Sequence, residues 1–246
     1  MTTLQVLMPM GGLGTRFRDV GVTTPKPLIE VDGVPMFQRA LASLDPWPGE
    51  RRLTVVVRAD DDAEHGLADR VRAAQPSAAV VLLEQNTRGA VETCLRARDR
   101  LDPDQPLGIM DCDIAFRSPA WFAALERAVA ERDVDALLLS FRSTEPRYSF
   151  AEVGEDGLVR RTAEKQAISS DALMGVYSFT RASVFLEAAG RLMERQIGAA
   201  MPEYYVSLVF NELVAGGSRV GLVRGDFYCF GTPEELAAYR ATGAPV

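Results

Sequence analysis

Short apolar segments alternate with amphipathic segments of helical length through the first 145 residues of the chain. The apolar segments predict strands at 4–10, 53–57, 78–83, 106–110 and 135–141. The amphipathic segments predict helices at 36–44, 63–74, 89–101 and 120–132. Parallel strands need crossover connections of about this length. The alternation therefore predicts an α/β fold with a mostly parallel central sheet and helices on both of its faces.

The pattern changes after residue 145. Segments 150–153 and 158–164 flank the turn sequence Gly-Glu-Asp-Gly and predict a β-hairpin. Further strands are expected at 172–179, 220–223 and 227–230, and helices at 181–195 and 204–215. A last helix is expected after Thr232, which has the side chain of an N-cap, with Pro233 at the first helical position. Because no repeat or linker interrupts the chain, residues 1–246 are expected to form one domain, with halves 1–145 and 146–246.

Charge and composition exclude several classes of function. The net charge is −7, which is unfavourable for binding nucleic acid or an anionic membrane. None of the three cysteines stands in a CxxC pair, and the chain has one histidine, His65, so a zinc site or a mechanism with two histidines is not expected. No basic leader precedes residue 4 and no apolar run approaches about 20 residues, so we expect a cytoplasmic protein.

A glycine-rich segment follows the first predicted strand directly. It reads Met10-Gly11-Gly12-Leu13-Gly14-Thr15-Arg16, and Pro25-Lys26-Pro27 follows shortly afterwards. Glycines let backbone N–H groups approach phosphate oxygens without interference from a Cβ atom. Arg16 adds a forked donor and Lys26 a point charge, both suited to phosphate. Because no Gly-Lys-Ser/Thr follows, the segment is not a Walker A loop, but it predicts binding of a phosphorylated ligand.

Two aspartates end the strand predicted at 106–110. Asp111 and Asp113 are separated by one residue, so in an extended segment both side chains point to the same side. Ligands of open α/β sheets bind at the carboxyl ends of the strands. Carboxylate oxygens are the ligands that Mg²⁺ prefers, and it usually shares them with substrate phosphates.

Together these segments resemble the signature of the sugar-phosphate nucleotidylyltransferase superfamily. The resemblance continues in the same order along almost the whole chain, at 84–85, 89–90, 111–113, 164–165, 174–177 and 231–236. It implies a Rossmann-like three-layer nucleotidyltransferase fold whose second half, with the hairpin, binds the acceptor. It also implies a Mg²⁺-dependent enzyme that transfers NMP from an NTP to a small phosphorylated substrate and releases pyrophosphate.

The resemblance also implies roles for individual residues. Arg16, Lys26, Lys165 and Asp113 would be catalytic, with Asp113 as the metal ligand. The nucleotide-binding residues would be Met10, Gly11, Gly12, Leu13, Gly14, Thr15, Arg16, Lys26, Gln85, Gly89, Ala90 and Asp111. The acceptor-binding residues would be Glu164, Lys165, Gly175, Tyr177 and Tyr204. Many relatives carry a second metal-binding aspartate at the position of Cys229, a poor ligand for Mg²⁺; Asp226, three residues earlier, is the candidate replacement.

Such a reaction needs no covalent nucleophile. A phosphate monoester has a second pKa near ~6, so the attacking oxygen is already anionic at neutral pH. The obstacle is repulsion between two polyanions, which Arg16, Lys26, Lys165 and Mg²⁺ would neutralise while aligning an in-line attack on the α-phosphorus.

Several alternatives stay open at this point. The nucleobase is not assigned, so the NTP is CTP, dTTP, UTP or GTP. A sugar 1-phosphate is the favoured acceptor, and a cytidylyltransferase acting on a non-sugar phosphate or a phosphonate is the alternative. A GT-A-like glycosyltransferase using Asp111-Cys112-Asp113 and a non-catalytic regulatory relative are the remaining readings. The oligomeric state is also open, a homo-oligomer included.

Overall fold

A computed structural model describes residues 2–198 and 201–244 of the chain. The strands are β1 (Leu4–Met10), β2 (Glu30–Val31), β3 (Val34–Pro35), β4 (Arg51–Arg58), β5 (Ala79–Leu83), β6 (Leu107–Met110), β7 (Ile114–Arg117), β8 (Ala136–Arg142), β9 (Ser149–Val153), β10 (Val159–Glu164), β11 (Asp171–Phe179), β12 (Val220–Arg224) and β13 (Asp226–Cys229). The helices are α1 (Thr15–Arg18), α2 (Met36–Ala42), α3 (Ala59–His65), α4 (Leu67–Ala74), α5 (Ala90–Leu95), α6 (Pro119–Glu131), α7 (Ala182–Met193), α8 (Val206–Ala215) and α9 (Pro233–Thr242).

Strands from both halves of the chain join one nine-stranded sheet within the described residues. Its path is β10-β9-β11-β6-β1-β4-β5, and β8 pairs with β11 and β12. Strands β5, β4, β1 and β6 are mutually parallel, and β11 joins β6 in antiparallel register. Because β8 and β9 are in turn antiparallel to β11, only β10 and β11 run against the other strands of this sheet. The predicted mostly parallel, mixed sheet is confirmed.

Side chains of β1 alternate between two hydrophobic cores, one on each face of the sheet. Val6 and Met8 belong to the core that contains Trp121 of α6, whereas Leu7 belongs to the core that contains Phe185 of α7. Successive residues of a strand point to opposite faces, so a strand buried on both faces is apolar throughout. Helices therefore cover both faces of the sheet, as the predicted three-layer fold requires.

The predicted hairpin and the predicted cap at Thr232 are confirmed, and Ser118 caps helix α6 in the same way. Strands β9 and β10 pair in antiparallel register. The Trp121 backbone N–H donates to the Ser118 hydroxyl at 3.3 Å, and the Glu235 backbone N–H donates to the Thr232 hydroxyl at 3.2 Å. Among the described residues no helix is both long and apolar enough to cross a membrane.

Several details differ from the sequence prediction. The single helix expected at 63–74 is divided into α3 and α4 by Gly66, which adopts the left-handed conformation with φ 62° and ends the first helix. The helix expected at 89–101 ends at Leu95, and a short 3-10 turn follows at Arg98–Arg100. Strand β7 was not predicted; it pairs antiparallel with β13 and brings the segment after Asp113 next to the segment before Gly231.

Candidate active site

The glycine-rich loop lies between the carboxyl end of β1 and helix α1. Gly14 caps α1 with φ 61°, a conformation that favours glycine, and its carbonyl accepts from the backbone N–H groups of Phe17 and Arg18 at 3.0 and 3.2 Å. Gly11 packs so closely that an added Cβ atom would lie 2.6 Å from Cδ1 of Leu83. Phe17 is buried and holds the turn against the protein, while Arg16 is exposed. The loop is therefore anchored at both ends with its arginine facing outward.

The loop forms one wall of a first cavity of about 460 Å³. Its lining also includes Asn86, Thr87, Gly89, Ala90, Thr93, Asp111 and Glu203. Gly89 has φ 133°, and a Cβ atom added there would lie 2.6 Å from the backbone nitrogen of Tyr204, so only glycine fits this contact. Two backbone hydrogen bonds fix the same contact: the Tyr204 N–H donates to the Arg88 carbonyl, and the Val91 N–H donates to the Tyr204 carbonyl, each at 2.9 Å. Residues 88–91 are thereby held against the backbone of Tyr204.

A second cavity of about 470 Å³ adjoins the first and brings the two halves of the chain together. It shares Pro9, Gly12, Ala90, Asp111 and Glu203 with the first cavity. The other lining residues are Met10, Arg16, Lys26, Pro27, Cys112, Asp113, Arg147, Ser149, Glu164, Lys165, Tyr177, Tyr205 and Val206. All four predicted catalytic residues therefore line one cavity. Lys26 and Lys165 are also the only two lysines of the whole sequence.

Lys26 forms an ion pair with Asp113 inside this cavity. Burial by itself would lower the pKa of Lys26, but the Asp113 carboxylate outweighs burial and holds that pKa above its ordinary value, with smaller contributions from Cys112 and Asp111. The ammonium group therefore keeps its charge at any working pH. Lys26 and the predicted metal ligand Asp113 are therefore in direct contact.

Asp111 is a partly buried carboxyl group of the cleft. Burial and the nearby negative charges of Asp113 and Glu164 raise the pKa of Asp111 to about 7, although the charge of Lys26 acts in the opposite direction. Its backbone N–H donates to the Gly175 carbonyl at 3.0 Å, which joins the end of β6 to β11. Gly175 itself has φ 76°, and a Cβ atom added there would overlap Oδ2 of Asp111. The predicted acceptor-binding residue Gly175 thus makes room for a carboxylate.

Two serine hydroxyls position the predicted acceptor-binding carboxylate, Glu164. Ser149 donates to its Oε1 at 2.5 Å, and Ser207 donates to the same oxygen. Burial raises the pKa of Glu164, although both hydroxyls and the charge of Lys165 act in the opposite direction. Neither serine was singled out by the sequence analysis, because an isolated serine carries no pattern that separates a strand position from a site position.

Lys165 adopts a left-handed backbone conformation with φ 53°, unusual for a residue with a side chain. Its backbone N–H donates to the Tyr148 carbonyl at 3.0 Å, which holds the turn beyond β10 against the start of β9. Its Nζ atom lies 3.3 Å from the Tyr205 hydroxyl and 5.4 Å from the centre of that ring. The turn therefore directs the ammonium group into the cavity and not along the strand.

A third cavity of about 240 Å³ continues beyond the two aspartates. Arg16, Asp111, Asp113, Arg147, Ser149, Gly175 and Tyr177 line it together with Ile114, Tyr148, Leu173, Met174, Phe227, Cys229, Gly231 and Glu235. A Cβ atom added at Gly231 would lie 2.7 Å from Oδ2 of Asp113 and 3.2 Å from Oε2 of Glu235. Burial and the charges of Asp113 and Glu235 raise the pKa of Cys229, so it remains a neutral thiol.

Three predicted site residues lie outside these cavities. Gln85 is exposed and lines none of the three. The Tyr204 side chain is buried, and its hydroxyl donates to the Arg195 carbonyl at 2.6 Å; its backbone contacts Gly89, which lines the first cavity. Asp226 is exposed at the first position of β13, three residues before Cys229 and therefore on the opposite face of the strand.

The residues present are suited to a metal ion that is shared with a substrate. No three histidine, cysteine, aspartate or glutamate side chains in the described part of the chain come together as a metal site of their own. Asp111 and Asp113 line the same cavities, and both carboxylates occupy positions that a Cβ atom at residue 175 or 231 would block. Mg²⁺ characteristically binds through one or two carboxylates plus phosphate oxygens, so this donor set fits it.

Arg147 and Glu235 line the third cavity and were not predicted as site residues. Glu235 lies in the 231–236 segment of the resemblance, where no role was assigned to it, and Arg147 lies in a loop with no recognisable motif. Their side chains form an ion pair of 2.8 Å. Strand β13 pairs with β7, and helix α9, which carries Glu235, packs against β13; β7 was itself not predicted.

Comparison with known proteins identifies the chain's relatives. Residues 6–200 match the family of MobA-like NTP transferase domains. Among solved structures, the chain is similar to a nucleoside-diphosphate-sugar pyrophosphorylase from Vibrio cholerae RC9, with a TM-score of 0.81 and 23% identity over 96% of this chain and 100% of that one. It is similar to the inositol-1-phosphate CTP transferase of T. maritima, with a TM-score of 0.73 and 18% identity over 98% of each chain. It is also similar to a UDP-glucose pyrophosphorylase complexed with UDP-glucose, with a TM-score of 0.72 and 18% identity over 98% of this chain and 100% of that one. At these identities the structural likeness shows the fold.

Proposed function

The chain belongs to the family of MobA-like NTP transferase domains and is a nucleotidyltransferase, and from that premise we propose that it transfers NMP from an NTP to a small phosphorylated acceptor with release of pyrophosphate. The observation that carries the proposal is the second cavity. There the glycine-rich loop, Arg16 and Lys26 of the first half face Lys165 and Glu164 of the second half. A cleft with cations on both sides suits a reaction between two polyanions.

In this proposal the triphosphate lies along the glycine-rich loop. The first cavity, between that loop and residues 86–93, takes the nucleoside, and Arg16 and Lys26 take the phosphates. Gln85 lies outside the cavity, so we assign base contacts to the wall around Asn86 and Thr87 instead. The base itself stays unassigned among CTP, dTTP, UTP and GTP.

We propose that Asp113, with Asp111 beside it, holds Mg²⁺. Bound there, the ion would supply positive charge to the phosphate oxygens. Lys26 keeps its charge next to Asp113 and serves the same phosphates from the loop side. Asp226 is left out of this metal site because it lies outside the three cavities.

The acceptor lies against the wall formed by Glu164, Lys165, Tyr177 and Tyr205. Lys165 binds its phosphate and holds the attacking oxygen toward the α-phosphorus. Because that oxygen is already anionic at neutral pH, the chain needs to supply no general base. The Glu164 carboxylate, fixed by Ser149 and Ser207, is suited to accept hydrogen bonds from hydroxyl groups. A sugar phosphate, with its several hydroxyl groups, is therefore the favoured acceptor.

A cytidylyltransferase acting on a non-sugar phosphate or a phosphonate is the second candidate. It is favoured by the short acceptor wall, in which Tyr177 and Tyr205 stand close to Lys165 and Glu164. The inositol-1-phosphate CTP transferase shares the fold, and the acceptor in its name is not a sugar. The family match gives no support to the glycosyltransferase reading of Asp111-Cys112-Asp113.

A matrix of substrates tests this function. The four NTPs are each incubated with Mg²⁺ and with glucose 1-phosphate, inositol 1-phosphate, phosphocholine or 2-aminoethylphosphonate, and pyrophosphate is measured. We expect pyrophosphate from at least one pair, only when NTP, acceptor and Mg²⁺ are all present. Pyrophosphate formed equally without any acceptor would contradict transfer, and NTP binding without pyrophosphate in every pair would favour the non-catalytic reading.

A further inference from the structure

Arg147 is a cation of the cleft to which the reaction as proposed gives no role. It lies in the loop before β9 and lines the second cavity with Lys165 and the third cavity with Asp113. Its side chain is about half exposed, which leaves it accessible from the cavity. The remaining question is which substrate it meets.

The guanidinium group of Arg147 is held from three sides. Its Nη1 atom lies 2.8 Å from Oε1 of Glu235, its Nε atom 2.9 Å from Oε2 of Glu145, and its Cζ atom 4.8 Å from the centre of the Tyr148 ring. The Glu235 side chain is only 10% exposed, so this anchor belongs to the packed structure. Among the described residues no ion pair involves Nη2. A guanidinium group with a fixed plane and an available edge is a preorganised phosphate-binding group.

Arg147 and Lys165 lie at the same end of one hairpin. Ser149 of β9 is the register partner of Glu164 of β10, so the residues just before β9 face those just after β10. The hydrogen bond from the Lys165 N–H to the Tyr148 carbonyl confirms that the two chain segments meet there. Each cation also lies over a tyrosine ring, Lys165 over Tyr205 and Arg147 over Tyr148. Both cations therefore lie at the hairpin end that contributes Glu164 and Lys165 to the acceptor wall, and not on the glycine-rich loop.

We propose that Arg147 binds the phosphoryl group of the acceptor together with Lys165, and that Glu235 is the positioning residue that orients it. This assignment rests on the proposed function. Two cations at one hairpin end match the two negative charges of a phosphate monoester or a phosphonate. They select against monoanionic groups such as carboxylates and phosphodiesters. The acceptor class is thus a dianionic phosphate or phosphonate, whatever its organic part.

Equilibrium binding tests the assignment without requiring turnover. Inorganic phosphate is titrated by calorimetry into the full-length protein saturated with Mg²⁺ and the α,β-methylene NTP analogue that wild type binds most tightly. The analogue occupies the triphosphate site, so the phosphate reports the acceptor site. Arg147→Ala should weaken phosphate binding at least tenfold, about 1.4 kcal/mol, and leave the affinity for the analogue within about twofold. Arg147→Lys should fall between wild type and alanine, because it keeps the charge and loses the fork.

Arg161→Ala is the matched control. Arg161 lies in β10 of the same hairpin, is similarly exposed, pairs with Glu152 at 2.7 Å and lines none of the three cavities. Its removal should leave phosphate affinity unchanged. Glu235→Gln should weaken phosphate binding at least threefold in the presence of Arg147 and have no further effect in the Arg147→Ala background. That dependence would not arise if Glu235 only stabilised the last helix.

Three outcomes would overturn the assignment: phosphate affinity unchanged in folded Arg147→Ala and Arg147→Lys, an equal loss of affinity for the NTP analogue, or no phosphate binding by wild type. The second outcome would place Arg147 on the triphosphate. Failure of the proposed function would look different, because the substrate matrix would then yield no pyrophosphate while the binding result for Arg147 could still be read.

Discussion

Gly175 faces Asp111 so closely that a Cβ atom at this position would lie 3.0 Å from Cγ of the aspartate and would overlap its Oδ2. Gly175 also has a positive φ and accepts the backbone hydrogen bond of Asp111 through its carbonyl. The carboxylate at the end of β6 therefore has its position only because residue 175 in β11 has no side chain. The glycine at position 175 therefore serves the position of a site carboxylate and not the packing of the hydrophobic core.

Gly175→Ala is expected to displace Asp111 and to lower turnover at least tenfold. It should also lower the free energy of unfolding by about 1–2 kcal/mol, the cost of a positive φ for a residue with a Cβ atom. Gly157→Ala is the control, because Gly157 has a similar φ of 78° in the hairpin turn and an added Cβ would meet nothing within 4 Å. Both variants should lose stability in a denaturant titration, and only Gly175→Ala should lose activity. Equal activity in the two would show that the position of Asp111 does not matter.

Arg16→Ala is expected to reduce turnover by at least ~100-fold, the effect of losing one preorganised donor to the transition state. Arg16 is exposed in the short helix α1, so the variant should fold and unfold like wild type. Arg18→Ala removes a neighbouring arginine that pairs with Asp61 at 3.3 Å and should leave turnover nearly unchanged. Steady-state kinetics decides this, and near-normal rates in Arg16→Ala would remove the residue from the mechanism.

The two aspartates of the cleft are expected to differ in importance. Asp113→Ala should abolish Mg²⁺-dependent activity, and Asp111→Ala should reduce it less, because Asp113 also holds Lys26. Asp226→Ala should change activity by no more than about twofold, since Asp226 is exposed outside the cavities. Mg²⁺ titrations of all three variants provide the measurement. Greater damage from Asp111→Ala, or a raised Mg²⁺ requirement in Asp226→Ala, would reverse the corresponding assignment.

The two lysines are expected to serve different substrates. Lys165→Ala should raise the acceptor KM and lower kcat while NTP affinity stays within about threefold. Because the chain has no other lysine, an amine-specific reagent followed by mass spectrometry can report both side chains of the wild type. NTP with Mg²⁺ should protect Lys26, and Lys165 should need the acceptor for protection. A tenfold loss of NTP affinity in Lys165→Ala, about 1.4 kcal/mol, or protection of Lys165 by NTP alone, would contradict this division.

Local sequence patterns predicted part of the candidate site. Residues that follow a strand directly, such as Gly11 and Asp111, were expected at one edge of the sheet, because the carboxyl ends of neighbouring parallel strands meet there. Glu164 and Lys165 were located through the order of motifs along the chain. Contacts between segments distant in sequence were not predictable: the Arg147–Glu235 pair depends on β7 and β13, and the serines that fix Glu164 come from β9 and α8. Gln85 was predicted in the nucleotide site, but the bend after β5 places Asn86 and Thr87 in the lining instead.

The central claim is that an oxygen of the acceptor's phosphoryl group attacks the α-phosphorus of the NTP. The most direct measurement uses the acceptor that yields pyrophosphate, labelled with ¹⁸O on all non-bridging phosphoryl oxygens, and follows the products by ³¹P NMR and mass spectrometry. The account predicts a product that retains every label, with one ¹⁸O between the two phosphorus atoms, and unlabelled pyrophosphate. An unlabelled bridge, or release of labelled inorganic phosphate in step with NTP consumption, would contradict it.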